Sequence, residues 1–432
     1  MTLRQIRGIM AQNATAIEGE KLMSSTSRGD HPVNEALRLT DGAFYAREPE
    51  PHYAWMRKNA PVYWDELGNV WGITRYDDVR AVSKDPSTFS NAGGIRPGYP
   101  ALPMMIDMDD PEHWNRRKLV NRGFTPKRVR EQEPAIRSVC DEIIDAVCER
   151  GECDLVADIA APLPMIMIGD ALGVRPEHRA DLLRWSDEMV KGQSLTATDE
   201  MMIDAANAYG AYTAYAHEVI ADRRNAPVDD LMSILVHAEV DGDRFSDDEL
   251  VHESLLILVG GDETTRHVVS EGMFQLLRHP DQRADLAGDT SLLPGAVEEM
   301  LRWVSPIKNM ARTVTRDTEL RGQQLHEGDE LLLLYASANR DEAVFTNPHQ
   351  FDIRRTPNDH VAFGFGSHFC LGNSLARLEI RIMIERLLER LPDLTLALPD
   401  GASGPEMRPA NFISGPETLP VRFSPAPPLP VR

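Results

Sequence analysis

The apolar positions of this 432-residue chain recur mostly at helical spacing. Amphipathic runs fill 131–149, 176–189 and 200–224, broken by Pro and Gly, and their Leu, Ile and Val read as core, as do Trp185 and Met189. The strongest run opens at Ser246, where Ser246-Asp247-Asp248-Glu249 reads as a capping box, and continues without proline to Pro280. A helix of that length spans on the order of 50 Å at ~1.5 Å per residue, enough to cross a domain. Alternation is confined to short stretches: Val62-Tyr63-Trp64, then Val70-Trp71-Gly72-Ile73-Thr74 after the turn at Leu67-Gly68-Asn69, and later 312–315, 319–320 with 324–325, and 331–335. A last helix is expected over 373–390, with Leu375, Leu378, Ile382 and Leu388 on one face, followed by strands at 394–398 and 419–423. The pattern predicts a mainly α protein with a small β-rich region.

Several stretches depart from this pattern. Segment 91–103 is rich in Gly and Pro, holds no regular structure, and is of the kind that carries a binding function or is disordered. Gly260-Gly261-Asp262-Glu263-Thr264-Thr265 falls in the middle of the long helix, where each glycine costs roughly 1 kcal/mol relative to alanine. Close helix packing explains such a pair. A flat ligand against bare backbone also explains it, with Glu263 and Thr264 projecting into the site as an acid and a hydroxyl able to relay protons. After Asp109-Asp110-Pro111 a helix is expected with Asp110 as cap and Pro111 in the first position, which places His113 and Arg117 on one face. That face is either a solvated basic surface with Arg116, Lys118 and Arg122 or a pair of cationic donors for a carboxylate. Glu299 and Arg302, spaced i,i+3, can pair, and alone they say little.

Composition narrows the class. A formal charge of -22 leaves no basic surplus for a nucleic-acid partner, and no apolar run approaches the roughly 20 residues of a membrane span. Residues 1–40 read as a disordered polar extension without a signal-peptide core, and 41–432 as one catalytic domain, which suggests a cytoplasmic protein. Cys140, Cys148 and Cys153 form no paired or metal-binding framework and read as ordinary thiols.

The fourth cysteine has a special setting, Phe363-Gly364-Phe365-Gly366-Ser367-His368-Phe369-Cys370-Leu371-Gly372. Phe369 stands where a dinucleotide fingerprint needs its third glycine, so that reading fails. A thiolate just ahead of a helix is stabilised by the N-terminal N–H groups, and the glycines let backbone approach a porphyrin. Cys370 therefore reads as an axial haem ligand, the kind that favours O–O cleavage.

Together with Leu375-Ala376-Arg377, Gly261-Asp262-Glu263-Thr264-Thr265 and Glu299-x-x-Arg302, in this order and spacing, the cysteine loop resembles the cytochrome P-450 family over 41–423. The resemblance implies a helix-rich triangular prism, a long helix crossing the haem, and haem b bound through Cys370 as the metal ligand. It implies propionate contacts from His113, Arg117, Arg312 and His368, with Phe363 and Gly364 against the cofactor. Glu263 and Thr264 match the pair that delivers protons during oxygen activation. Glu299 and Arg302 match a structural network with a loop arginine, Arg355 in preference to Arg354. A ferredoxin and its reductase would supply electrons on the cysteine side, where Lys118, Arg122 and Arg377 form a basic patch.

The stretches Asn91-Ala-Gly-Gly-Ile-Arg-Pro97, 101–111 and Gly-Gly-Asp-Glu-Thr-Thr-Arg-His267 are similar to the actinobacterial branch that oxidises cholesterol and cholest-4-en-3-one. That branch implies dioxygen-dependent hydroxylation of the terminal methyl of a steroid side chain, a 26-monooxygenase activity that can continue to the acid. Ile95, Met104, Gly261, Val304, Ile307 and Phe412 are the expected pocket residues, with Leu102 beside them in the same apolar channel. A branched fatty acid, terpene or macrolide substrate fits the same composition. A haem-binding sensor would keep Cys370 but has no need of Glu263-Thr264.

Overall fold

The computed structural model describes residues 36–192, 197–239 and 242–430, together with Pro32 and Asn34. Most of the extension expected over 1–40 lies outside the described residues. The fold itself begins before residue 41, because Leu37 and Leu39 are buried in a core with Phe44, Tyr53 and Val70.

The long helix forms as Asp247–Arg278, 32 residues and about 48 Å. Its capping box is complete: the Glu249 N–H donates to Ser246 Oγ at 3.3 Å, and the Ser246 N–H donates to Glu249 Oε2 at 2.8 Å. Two apolar cores meet along this central helix. One gathers its C-terminal half with the Glu133–Asp145, Leu293–Val304 and Asn373–Arg390 helices; the other joins its N-terminal half to the Arg179–Gly192 and Asp199–Asn225 helices and contains Trp185 and Met189. The central helix is thus held from both sides, and the glycine pair lies where the two cores join.

The strands are β1 (Val62–Asp65), β2 (Val70–Ile73), β3 (Phe89–Ser90), β4 (Glu152–Asp154), β5 (Asn309–Val314), β6 (Thr318–Leu320), β7 (Gln323–Leu325), β8 (Glu330–Leu334), β9 (Thr395–Leu396) and β10 (Pro420–Arg422). A five-stranded sheet runs in the order β1, β2, β8, β5, β3, with only β2 and β8 parallel. Smaller sheets join β4, β10 and β9, and β6 to β7. Mainly α architecture with small sheets is what the hydrophobic pattern predicted. The two-residue β3 and three-residue β4 carry too little alternation to be read from sequence.

Segment 91–103 has no regular structure, as expected, yet it is fixed in place. The Asp107 carboxylate accepts the N–H groups of Ile95 (3.0 Å) and Leu102 (2.8 Å) and pairs with Arg96 (2.9 Å), while Asp109 accepts the Asn91 N–H (2.9 Å) and the Ser90 hydroxyl. The buried Asp107 and the half-buried Asp109 thereby satisfy backbone donors that a helix or strand would otherwise have used.

Glu299 and Arg302 are both fully buried and joined by two hydrogen bonds of 2.7 Å. Arg355 closes the network on Glu299 at 3.0 Å, whereas Arg354 turns away to Asp285. Arg302 also donates to the Asn339 and Pro348 carbonyls at 2.9 and 3.0 Å, so the pair binds the chain leading into the cysteine loop. Among the described residues no helix is long and apolar enough to cross a membrane.

Candidate active site

The cysteine loop folds back on itself ahead of the Asn373–Arg390 helix. The Gly364 N–H donates to the Val361 carbonyl at 2.9 Å, and the Cys370 N–H donates to the Phe363 carbonyl at 2.9 Å. Gly364 and Gly366 have φ of 71° and 79°, in the left-handed region, and a Cβ on Gly366 would lie 2.2 Å from the Ser83 carbonyl oxygen. Burial raises the Cys370 thiol, while the backbone at Gly372 and Asn373 and the cations Arg117 and Arg377 pull it the other way. Arg377 is itself fixed, pairing with Glu298 at 2.6 Å and standing 4.5 Å over the Phe363 ring.

Cys370, Phe363 and Gly364 line a cavity of about 500 Å³ whose opposite wall is the central helix at Gly260, Gly261, Thr264, Thr265 and Val268. The two glycines have different causes. A Cβ on Gly261 would lie 2.2 Å from Ile168 Cδ1, so this position is small for helix packing; a Cβ on Gly260 meets nothing within 4 Å and opens onto the cavity. The helix continues through both, and Thr264 Oγ1 donates to the Gly260 carbonyl at 2.9 Å.

One flank of the cavity is unusually basic. His113, Arg117, Arg312 and His368 all line it, and the two imidazoles stack at 3.9 Å. Arg312 is 3% exposed and makes no salt bridge among the described residues; its guanidinium donates to the Ala311 carbonyl at 2.6 Å and stands beside Tyr335. His113 Nε2 is buried and unpartnered, its ring held by Asp110 at 3.0 Å through Nδ1. Burial and the nearby His113, Arg312 and Arg117 push His368 down to about 2. Two guanidinium groups, Arg117 and Arg312, with no carboxylate bonded to either among the described residues, and two neutral imidazoles, one with an orphaned ring nitrogen, are what the carboxylates of a porphyrin edge would satisfy. With a cysteine sulfur at the base and bare glycine backbone at Gly260 and Gly372, the residues present fit a haem.

Against known proteins, a family model described as Cytochrome P450 matches residues 194–395. Over 392 residues, 90% of this chain and 98% of the other, the sequence is 58% identical to the Steroid C26-monooxygenase of Mycobacterium tuberculosis (strain ATCC 25618 / H37Rv). The chain belongs to the cytochrome P450 family. As a P450 it is a monooxygenase that binds haem b through a cysteine thiolate. It is also 38% identical over 409 residues, 89% of this chain and 91% of the other, to the Methyl-branched lipid omega-hydroxylase of the same M. tuberculosis strain. Among solved structures, CYP109E1 from Bacillus megaterium in complex with testosterone matches with a TM-score of 0.79 and 33% identity, covering 87% of this chain and 99% of that one.

The P450 departs from the sequence expectations at several positions. Of the six expected pocket residues, only Gly261 and Ile307 line the cavity. Val304 belongs to the core of the helix that ends there, Phe412 packs behind with its carbonyl accepting the Lys308 N–H, and Ile95 is buried where its carbonyl accepts the Ala311 N–H of β5. Met104 is displaced by its neighbours: Met105 and Ile106, in the short turn that follows, face the cavity instead. Met310 was missed, although it stands two residues from Arg312 on β5 and so shares its face.

The helix after Asp110 starts at Glu112, with Pro111 at the cap position; Asp110 makes no cap and holds His113 instead. Glu263 does not project into the cavity. Its carboxylate is buried and held by Arg266 and by Arg408, the latter at 2.5 Å. Nor is Arg377 available to a docking partner, since Glu298 and Phe363 engage it.

Proposed function

We propose that this P450 hydroxylates the terminal methyl of a steroid side chain, with cholest-4-en-3-one and cholesterol as substrates, and carries the product on to the carboxylic acid. The observation that carries this reading is the 58% identity to a steroid C26-monooxygenase across 90% of the chain. The cavity supports it. Met105, Ile106, Leu256, Ile257, Ile307 and Met310 give an apolar wall suited to a rigid hydrocarbon body, with specificity left to few polar groups. Titration of the haem-loaded protein with cholest-4-en-3-one is expected to shift its optical spectrum toward the high-spin form. A response to methyl-branched fatty acids with none to the sterol would favour the lipid hydroxylase reading.

Within this reading Cys370 ligates the iron, and Arg117, Arg312, His113 and His368 hold the propionates. Bound haem supplies dioxygen activation, with thiolate donation favouring O–O cleavage. Thr264 stands on the wall opposite Cys370 with its hydroxyl anchored to the Gly260 carbonyl, where it orders water and passes protons inward. Thr264→Ala is expected to divert reducing equivalents to peroxide, with several-fold less product per NADPH. Full coupling in that variant would contradict the role.

Electrons come from a ferredoxin and its reductase in the cytoplasm, meeting the Cys370 side near Lys118 and Arg122. Charge reversal at these two residues is expected to slow reduction by the ferredoxin several-fold at low salt, and an unchanged rate would remove this docking site.

A further inference from the structure

Behind the cavity face of the central helix lies a closed cluster of charged groups. Glu263 is held as an ion by Arg266 and Arg408, and Arg266 also bonds Asp187 at 3.2 Å. Arg408 reaches outward to Glu417 at 3.1 Å, and His267 Nε2 lies 3.6 Å from Glu263 Oε2. Asp262 differs from all of these. It is 0% exposed, and neither of its carboxylate oxygens has a hydrogen-bond partner. Even so, one oxygen from each of Asp187, Asp262 and Glu263 lies within 4.8 Å of the others.

The two arginines of this cluster are already matched without Asp262. Asp187 and Glu263 are matched by Arg266 and Arg408, and Glu417 adds further negative charge at the rim. Ionised Asp262 would be a buried anion with at most the Ser186 hydroxyl to donate to it, facing Glu263 on its own helix and Asp187 from the Arg179–Gly192 helix, with Arg266 the cation that acts on it. Burial pushes its carboxyl up to about 7. For Glu263 burial works in the same direction, but Arg266, His267 and Arg408 overcome it and hold that carboxylate well below its usual range. Burial also drives His267 down to about 4, which leaves it neutral. Of the three carboxyl groups, the side chain of Asp187 is 27% exposed and is the one that reaches solvent.

We propose that Asp262, rather than Glu263, stores the proton that this P450 feeds toward Thr264, and that Asp187 is the inlet through which it is replaced. The inference rests on the P450 reading. Asp262 gives its carboxyl proton to Glu263, which, once neutral, is released by Arg266 and Arg408 and turns toward the cavity to hand that proton to the Thr264 hydroxyl. Asp187, which reaches solvent, is protonated by hydronium and passes that proton to the Asp262 carboxylate, returning to its ionised pairing with Arg266. No electrons move in these steps.

The test is infrared titration of the haem-loaded ferric protein across neutral pH, in water and deuterium oxide, comparing wild type with Asp262→Asn, Glu263→Gln and Asp187→Asn. Other buried carboxyls, Glu253 and Glu379, are also raised and contribute bands common to all four. The expected result is a protonated-carboxyl component that disappears as pH rises through about 7, is missing in Asp262→Asn, persists in Glu263→Gln, and exchanges with deuterium more slowly in Asp187→Asn. Product formation in Asp262→Asn should fall about tenfold with a larger solvent isotope effect and unchanged sterol affinity. A component lost in Glu263→Gln but kept in Asp262→Asn, or wild-type turnover in Asp262→Asn, overturns the proposal. If Asp262→Asn fails to load haem, the exchange rate in Asp187→Asn decides, and an unchanged rate overturns it. Absence of a thiolate CO band in the wild type would instead be a failure of the haem-ligand reading.

Discussion

Replacing Cys370 with alanine is expected to abolish the red-shifted Soret band of the reduced, CO-bound protein and to reduce hydroxylation to background. The sulfur sits where the cavity meets the N-terminus of the Asn373–Arg390 helix, with its own N–H taken by the Phe363 carbonyl. Backbone donors and two arginines favour its thiolate form there, and a coordinated metal deprotonates a thiol outright. The other three cysteines line no part of the cavity. Burial raises the thiols of Cys140 and Cys153, the latter to about 12, and neither stands where the cavity could supply a metal. Cys140→Ser and Cys153→Ser should therefore keep the band. A thiolate signature surviving in Cys370→Ala would contradict the assignment.

Replacing Arg302 with alanine should destabilise the protein by about 3–5 kcal/mol and lower its haem content in parallel. The guanidinium is fully buried and makes two hydrogen bonds to Glu299, so truncation leaves a carboxylate with no exposure and, of its two arginines, only Arg355. It also frees the Asn339 and Pro348 carbonyls, which hold the chain entering the cysteine loop. Arg302→Lys should recover little, because a point charge cannot replace a fork that bonds Glu299 and two carbonyls at once. Denaturant unfolding and haem titration measure both effects. A variant with wild-type stability and haem occupancy would show that the pair is dispensable.

The long-range plan of the molecule was legible because it depends on local rules. The capping box at Ser246 and the absence of proline up to Pro280 set the central helix to within a residue or two. Cys370 was legible for a similar reason, since glycines, a cysteine and a helix start are contiguous in sequence. The basic flank of the cavity was partly legible: His113 and Arg117 share a helical face, but only the fold brings Arg312 from β5 and His368 from the loop to the same flank.

What sequence did not reveal depends on which way a side chain turns. Met104 and Met105 have nearly the same chemistry, and a single turn of backbone decides that Met105 faces the cavity. Glu263 stands beside Thr264 in the motif, yet Arg408, 145 residues further on, draws it to the other side of the helix. Arg408 carries no motif of its own, and its partner could be found only in three dimensions. Nothing in the sequence singles out Asp262; that neither of its carboxylate oxygens is hydrogen-bonded is a property of the packed interior.

The substrate is the central claim, and product analysis tests it most directly. The haem-loaded protein, supplied with a ferredoxin, its reductase, NADPH and dioxygen, is incubated with cholest-4-en-3-one, and the product is examined by mass spectrometry and NMR. The expected product carries one oxygen from dioxygen on a terminal methyl of the side chain, followed by the corresponding acid. Hydroxylation of the ring system, or an unreacted sterol alongside efficient oxidation of a methyl-branched fatty acid, would contradict the account.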